Sequence, residues 1–125
     1  MNKVLKLLVI LPAILFVVTG LRWIVDPSGA AAQFGMPLLE GLGRSSQIGD
    51  MAGFFLTLGM TMLIAVIAGR RLWYYPPVML LAITALGRIL AWLLHDAALA
   101  VDMIIPEIVV AALLLFASRR LPERD

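Results

Sequence analysis

Residues 85–116, ALGRILAWLLHDAALAVDMIIPEIVVAALLLF, combine two long apolar runs with two ionisable side chains, Arg88 and Glu107. The polar pair His95 and Asp96 separates the runs, and each run is long enough to form a helix. A charged group within an apolar helix is costly unless it finds a partner. This stretch therefore predicts two neighbouring helices inside a larger helical assembly, with Arg88 and Glu107 facing its interior.

The composition of the whole chain indicates a lipid environment. Of its 125 residues, 62% are hydrophobic and 14% are charged, and the mean hydropathy is +1.01. A water-soluble fold of this size needs polar residues to cover its core, whereas lipid allows the outside of a bundle to be as apolar as its inside. We expect an integral membrane protein with a single domain over residues 1–125.

Four apolar stretches account for most of the chain, at about residues 4–24, 48–68, 76–94 and 99–118. A hydrocarbon core of about 30 Å requires about 20 helical residues, so each stretch is close to the length of one span. Backbone groups in lipid must be paired within the segment, and a helix achieves this. The sequence predicts an all-α, four-helix transmembrane bundle.

The segment between the first two spans, residues 26–45, has an intermediate character. It is too apolar for an ordinary loop and too rich in glycine and proline for another span. Asp26 can cap a short helix that has Pro27 at its first position. We expect an interfacial helical segment, and two roles stay open for it, a cover over the end of the bundle or a lid over a pocket.

The distribution of basic residues predicts the orientation in the membrane. Apart from Arg88 within the third apolar stretch, only Arg22 and Arg44 fall on one side of an even-numbered bundle. The basic residues on the other side lie at the two termini and in the middle loop, and they are Lys3, Lys6, Arg70, Arg71, Arg119, Arg120 and Arg124. Because basic residues are enriched in cytoplasmic loops, both termini are expected in the cytoplasm. The aromatic residues of RRLWYYPP, 70–77, are typical of the inner membrane interface.

Arg88 is the most informative ionisable residue of the spans. Side chains tilt toward the N-terminus of their helix, and the orientation above makes that end of the third helix cytoplasmic. The guanidinium then points away from the nearer membrane surface, so pairing is the better way to avoid a cost of at least about 2.5 to 3.5 kcal/mol. Glu107 and Asp50 are its expected partners. Arg22 lies nearer the interface, where it can pair with Asp26 or reach water.

The same orientation places one ionisable residue of each span at a similar depth. Because helical spacing extends each of them into a polar stripe, we expect the four stripes to face one another. Trp92 and His95 lie on the stripe of Arg88. Trp92 is about one turn beyond Arg88, and His95 is about one turn beyond Trp92. The candidate ligand-binding residues are therefore Arg88, Glu107, Asp50, Trp92, Arg22 and His95.

Several kinds of site are excluded by what the chain lacks. It has no cysteine and one histidine, so neither a thiolate site nor a histidine cage is available, and we expect no metal. No phosphate-binding loop or dinucleotide-binding glycine motif is present, and no cofactor is expected. The basic residues follow the membrane interfaces, which argues against a nucleic-acid partner.

Two further patterns concern helix packing. Gly49 and Gly53 form a single GxxxG match, which we interpret as close packing between helices of this chain, while a homo-oligomer is left open. Trp23 and Trp92 are expected at the outer interface, as part of an aromatic belt.

Four segments together resemble a bacterial family of small four-helix membrane proteins grouped with the DoxX-like superfamily. They are GLRWIVDPSGAAAQFGMPLLEG (20–41), GRSSQIGDMAGFFLTLG (43–59), GRRLWYYPP (69–77) and GRILAWLLHDAA (87–98). The resemblance implies a multi-pass bundle in the bacterial inner membrane. It carries no activity over to this chain, because the family has no assigned activity. More distant relatives of the same architecture offer no motif that maps onto residues of this chain.

Three interpretations of function follow from the buried charges. The favoured one is an outward-opening intramembrane pocket in which Arg88, Asp50 and Glu107 hold the polar head of a lipid, a quinone or another small amphiphile. One alternative is a structural or accessory subunit whose charges only fix helix packing. A second is an intramembrane, isomerase-like enzyme that uses Glu107 or Asp50 as proton donor and acceptor.

Overall fold

The computed structural model describes residues 2–124 and is built from helices, with no strand in this range. The long helices are α1 (Asn2–Val25), α3 (Gly41–Ala68), α4 (Tyr75–Leu94) and α5 (Val101–Arg120). A short helix α2 (Pro27–Gln33) follows α1, and a 3₁₀ turn (Arg71–Tyr74) precedes α4. Within residues 2–124, four helices are long and apolar enough to cross a membrane. The predicted all-α four-helix bundle is therefore confirmed.

The bundle consists of two helix pairs. α1 packs mainly against α3, and α4 packs mainly against α5, while the α3–α4 and α1–α5 contacts are less extensive. The pairs share an apolar core whose fully buried members include Val9, Leu58 and Leu114. We call the end that carries α2 and the α4–α5 connection the α2 end, and the end that carries the 3₁₀ turn the opposite end.

Close contact between α1 and α3 depends on two glycines. A Cβ atom on Gly59 would lie 2.6 Å from the carbonyl oxygen of Ala13, and one on Gly20 would lie 2.9 Å from the amide nitrogen of Leu56. Both distances are too short for any residue other than glycine, and the obstructing atoms belong to backbone. The α1–α3 pair is therefore held by van der Waals packing of backbone against backbone, as is common in membrane bundles.

The GxxxG match at Gly49 and Gly53 does not take part in this contact. A Cβ atom built on either residue meets nothing within 4 Å, and both residues are exposed. The expectation of close packing there was wrong, because the inner face of α3 is formed by the residues at helical spacing around Ala52, Phe55 and Gly59. The close contact occurs about two turns further along the helix.

Helix α2 folds back over the end of the α1–α3 pair. The Asp26 carboxylate caps it by accepting a hydrogen bond of 3.3 Å from the amide of Gly29, and Pro27 occupies the first position, as predicted. Ala31 of α2 and Trp23 of α1 are both fully buried in one cluster. Trp23 is therefore a core residue rather than part of an aromatic belt, because α2 covers it.

Helix α3 begins at Gly41 rather than near residue 48. Its first two turns carry polar side chains that hold the preceding segment in place. Gln47 is buried, accepts a hydrogen bond of 2.9 Å from the amide of Leu39 and donates one of 3.1 Å to the carbonyl of Pro37. The hydropathy pattern marks only the apolar part of a helix, so it missed these turns.

At the opposite end, arginines bind the carbonyl groups that the helix ends leave open. Arg71 donates from Nε to the carbonyl of Ser118 on α5 at 2.9 Å. Arg124 donates from Nη1 to the carbonyl of Ile67 on α3 at 2.9 Å. These contacts place basic side chains at helix C-termini, where the helix dipole favours positive charge.

The glycine contacts lead to a prediction about stability. Gly59→Ala should lower the free energy of unfolding by about 1–3 kcal/mol, because the new methyl group meets backbone atoms that cannot move aside separately. Gly53→Ala is the matched control on the same helix, and it should leave stability unchanged or raise it by up to about 1 kcal/mol through helix propensity. Thermal melting of both variants in one detergent checks this. Equal effects at the two positions would contradict the assigned contact.

Candidate functional site

An ion pair between α4 and α5 is the most distinctive feature of the interior. Arg88 donates from Nε to both carboxylate oxygens of Glu107, at 3.0 and 3.2 Å. The side chains are 28% and 12% exposed, respectively. Glu107 is one of the two partners that the sequence suggested for Arg88. The pair brings opposite charges into direct contact within the apolar part of the bundle and so reduces the cost of holding either one there.

The geometry of this pair leaves part of the guanidinium available. Glu107 uses only the Nε–H group, whereas Arg–carboxylate pairs often form two parallel hydrogen bonds. The terminal nitrogens Nη1 and Nη2 of Arg88 make no hydrogen bond to any residue between positions 2 and 124, and both keep some accessible surface. Arg88 therefore retains four N–H donors, since a guanidinium has five.

Local sequence explains how the two residues meet. The α4–α5 connection is short, so the two helices run antiparallel and the end of one lies beside the start of the other. His95 ends α4 by donating its backbone N–H to the carbonyl of Ala91 at 2.9 Å, and Asp96 then turns the chain with a positive φ of 55°. Arg88, in the second half of α4, consequently reaches Glu107 in the second turn of α5.

A cavity of about 210 Å³ adjoins the ion pair. It lies where the two helix pairs meet, and every helix contributes to its wall. The lining residues are Leu15, Phe16, Thr19, Gln33, Phe34, Phe54, Phe55, Leu58, Leu81, Arg88, Asp102, Met103, Pro106 and Glu107. The wall is mostly apolar and aromatic with a few polar groups, which is the usual character of a small-molecule site. For scale, an apolar cavity of about 150 Å³ can hold benzene.

The structure separates the other predicted site residues from this cavity. Asp50 is exposed on the outer face of α3 that also carries Gly53, and Trp92 and His95 are exposed near the end of α4. None of the three lines the cavity. The four polar stripes thus do not all converge, because Asp50 lies on the opposite side of α3 from its buried residues.

Arg22 also lies outside the cavity but contacts a residue that lines it. Its Nη1 donates to Oε1 of Gln33 at 2.9 Å, while its Nε lies 3.6 Å from the Asp26 carboxylate, as the sequence suggested. Gln33 is the last residue of α2 and forms part of the cavity wall together with Phe34. Arg22 therefore positions the cavity wall rather than the ligand, in contrast to its predicted role.

Sequence reasoning missed several lining residues. Asp102 and Gln33 lie at the α2 end of the cavity, one in the first turn of α5 and the other at the end of α2. Phe16 and Phe55 pack against each other in its wall, with ring centroids 6.1 Å apart. Asp102 carried one usable signal, an acidic residue close to Glu107 in sequence. Gln33 reaches the cavity wall because of the placement of α2, and the sequence shows no periodic hydropathy pattern that predicts this placement.

The site does not have the composition of a metal centre. Within residues 2–124, no three histidine, cysteine, aspartate or glutamate side chains are close enough together to hold a metal ion. Comparisons with protein-family models, curated proteins and solved structures give no match to this chain. The chemistry of the site therefore rests on its own geometry.

The ion pair predicts an asymmetric response to mutation. Glu107→Gln should lower the free energy of unfolding by about 2–3 kcal/mol, because it leaves a guanidinium that cannot lose its charge. Arg88→Met should cost less, since the remaining carboxylic acid can take up a proton. The double variant should recover most of the loss, because replacing both members of a buried pair is well tolerated.

Thermal melting of the three variants in one detergent measures these effects. Asp50→Asn serves as the control, since Asp50 is exposed and unpaired within residues 2–124 and should shift stability by less than about 0.5 kcal/mol. Losses that simply add in the double variant would mean that Arg88 and Glu107 do not interact.

Proposed function

We propose that this protein binds the polar head of a small amphiphile, such as a lipid or a quinone, in the cavity beside Arg88 and Glu107. The observation that carries the proposal is the unused donor capacity of Arg88 at a cavity wall. These N–H groups are accessible rather than sealed inside the protein, so a ligand with an acceptor oxygen can take their hydrogen bonds. An ion pair that served only to join α4 to α5 has no need for the adjoining space.

The charges around the cavity favour a neutral head over an anionic one. Arg88 and Glu107 cancel, and Asp102 adds a negative charge at the α2 end of the wall. An anion would therefore meet no net attraction inside. A head with a carbonyl or ether oxygen can accept from Arg88, and a hydroxyl can donate to the remaining lone pairs of Glu107. The aromatic rings of Phe16, Phe34 and Phe55 provide apolar surface for the adjacent part of the ligand.

The geometry supports binding better than isomerase-like catalysis. A proton donor and acceptor must be available to the substrate. Both oxygens of Glu107 already accept from Arg88, and Asp50 does not reach the cavity. A carboxylate held in this way is harder to use for proton transfer, so we assign Glu107 to ligand binding.

The proposal includes a membrane setting. The four apolar helices suggest a multi-pass membrane protein, and we place it in a bacterial inner membrane with both termini in the cytoplasm, as the basic residues indicate. The cavity then lies in the outer half of the bilayer and opens outward. We retain the resemblance to the DoxX-like superfamily as part of this proposal, on the strength of the sequence segments that carry it.

Native mass spectrometry of the detergent-purified protein tests the binding function. We expect a reproducible small-molecule adduct in several detergents, with its identity obtained by fragmentation. Met103→Trp should abolish the adduct, because Met103 lines the cavity one turn from Glu107. Ile105→Trp is the matched control, since Ile105 is 56% exposed and is not a wall residue.

The folded double variant Arg88→Met, Glu107→Gln provides the decisive comparison. It should melt close to the parent protein yet lose the adduct, because the charges are absent while the bundle remains. Retention of the adduct in this variant and in Met103→Trp would place binding elsewhere. The absence of any adduct in every detergent would leave the ion pair with a purely architectural role.

The orientation gives a separate prediction that uses the absence of native cysteine. Ser46 and Arg120 are both exposed and lie at opposite ends of the bundle. In spheroplasts, an impermeant maleimide should label Ser46→Cys and leave Arg120→Cys unlabelled until the membrane is opened. Labelling of both from outside would contradict the proposed topology.

A further inference from the structure

A second depression on the protein surface adjoins the proposed head site. It is an open groove of about 520 Å³ between α3 and α4, lined by Phe54, Thr57, Pro76, Met79, Leu80, Ile83 and Thr84. Its walls are almost entirely apolar, and most of its residues are exposed. The groove follows the seam between the two helix pairs, where α3 and α4 are less closely packed than within either pair.

Two observations connect this groove to the cavity. Phe54 lines both of them and is half-buried, so it is a shared wall between the two spaces. On α4, Leu80, Thr84 and Arg88 follow one another at intervals of four residues and therefore share one face of the helix. The groove thus continues the line of Arg88 toward the opposite end of the bundle.

The length of this path matches a membrane hydrocarbon chain. Arg88 and Pro76 are separated by about 18 Å along α4, at 1.5 Å per residue. Half of a hydrocarbon core is about 15 Å. A chain attached to a head at Arg88 and laid along α4 would therefore run through the groove and extend past the middle of the bilayer.

We infer that the α3–α4 groove holds the single hydrocarbon tail of the amphiphile whose head occupies the cavity, with Phe54 at the junction between head and tail. This inference rests on the proposed function. It narrows the ligand to a single-chain amphiphile with a neutral, oxygen-bearing head, and it makes the α3–α4 seam the lateral entry from the bilayer.

A second groove on the same helix provides the control. It lies between α4 and α5, has a volume of about 390 Å³ and is lined by residues such as Leu86 and Ile89. None of its residues lines the cavity. Both grooves face outward and are apolar, so only continuity with the head site distinguishes them.

The test compares two probes that share one head, monoolein with a long chain and monobutyrin with a short one. Binding is measured by the shift of the melting temperature across a titration in one detergent. Ile83→Trp narrows the α3–α4 groove, and Leu86→Trp changes the α4–α5 groove to a similar extent. Both parent residues are large, exposed aliphatic side chains, 63% and 54% exposed.

We expect the parent protein to bind monoolein more tightly than monobutyrin. Ile83→Trp should weaken monoolein binding by about tenfold or more, because the tail is displaced by an overpacked side chain, and should leave monobutyrin unaffected. Leu86→Trp should change neither affinity.

The possible failures are distinguishable. If the parent binds both probes but Ile83→Trp binds monoolein normally, the tail does not use this groove, and the head site stands. Equal loss of both probes in Ile83→Trp, or loss of monoolein in Leu86→Trp, also overturns the groove assignment. If the parent binds neither probe, the proposed binding function fails, and this inference fails with it.

Discussion

The contact between Arg88 and Glu107 is the interaction on which the interior of this bundle depends. Each charge lies within a helix that is otherwise apolar, and neither can remain unpaired there without a substantial cost. The requirement fixes the register of α4 against α5, because Nε of Arg88 must reach both oxygens of Glu107. The same contact leaves the end of the guanidinium beside a cavity. One interaction thus stabilises a helix pair and supplies the cation among the described residues that line that cavity.

The other helix pair is held by a different kind of force. The backbones of α1 and α3 lie in close contact, and the absence of a side chain at Gly20 and Gly59 allows this. In lipid, the hydrophobic effect does not drive helices together, so dense packing of this kind carries much of the association. The contact between the two pairs is less extensive than the contact within either pair, and the cavity lies between them.

The α2 end closes this arrangement through polar side chains that do not themselves line the cavity. Arg22 holds Gln33 at the wall, and Gln47 holds the segment before α3 through backbone groups. These contacts satisfy donors and acceptors that a short, irregular segment would otherwise leave open. Of the two roles expected for residues 26–45, a cover over the bundle or a lid over a pocket, α2 shows the first, since Trp23 is buried in one cluster with residues of α2 and α3. The cover and the cavity wall are the same segment.

The sequence by itself determined the number of membrane-length helices, the short helix after Asp26 and the need of Arg88 for an acidic partner, because hydropathy, capping and the cost of a buried charge are local properties that leave a local pattern. Only the tertiary structure decided which polar residues meet. Asp50 and Glu107 look equivalent as partners of Arg88, yet the rotation of α3 about its own axis turns Asp50 outward. That rotation is set by the contact of Gly59 on α3 with Ala13 on α1, a residue in a different part of the chain. Likewise, Gln33 lines the cavity because α2 folds back over the bundle, and Asp102 lines it because of where α5 packs. Neither arrangement produces a periodic hydropathy pattern in the sequence.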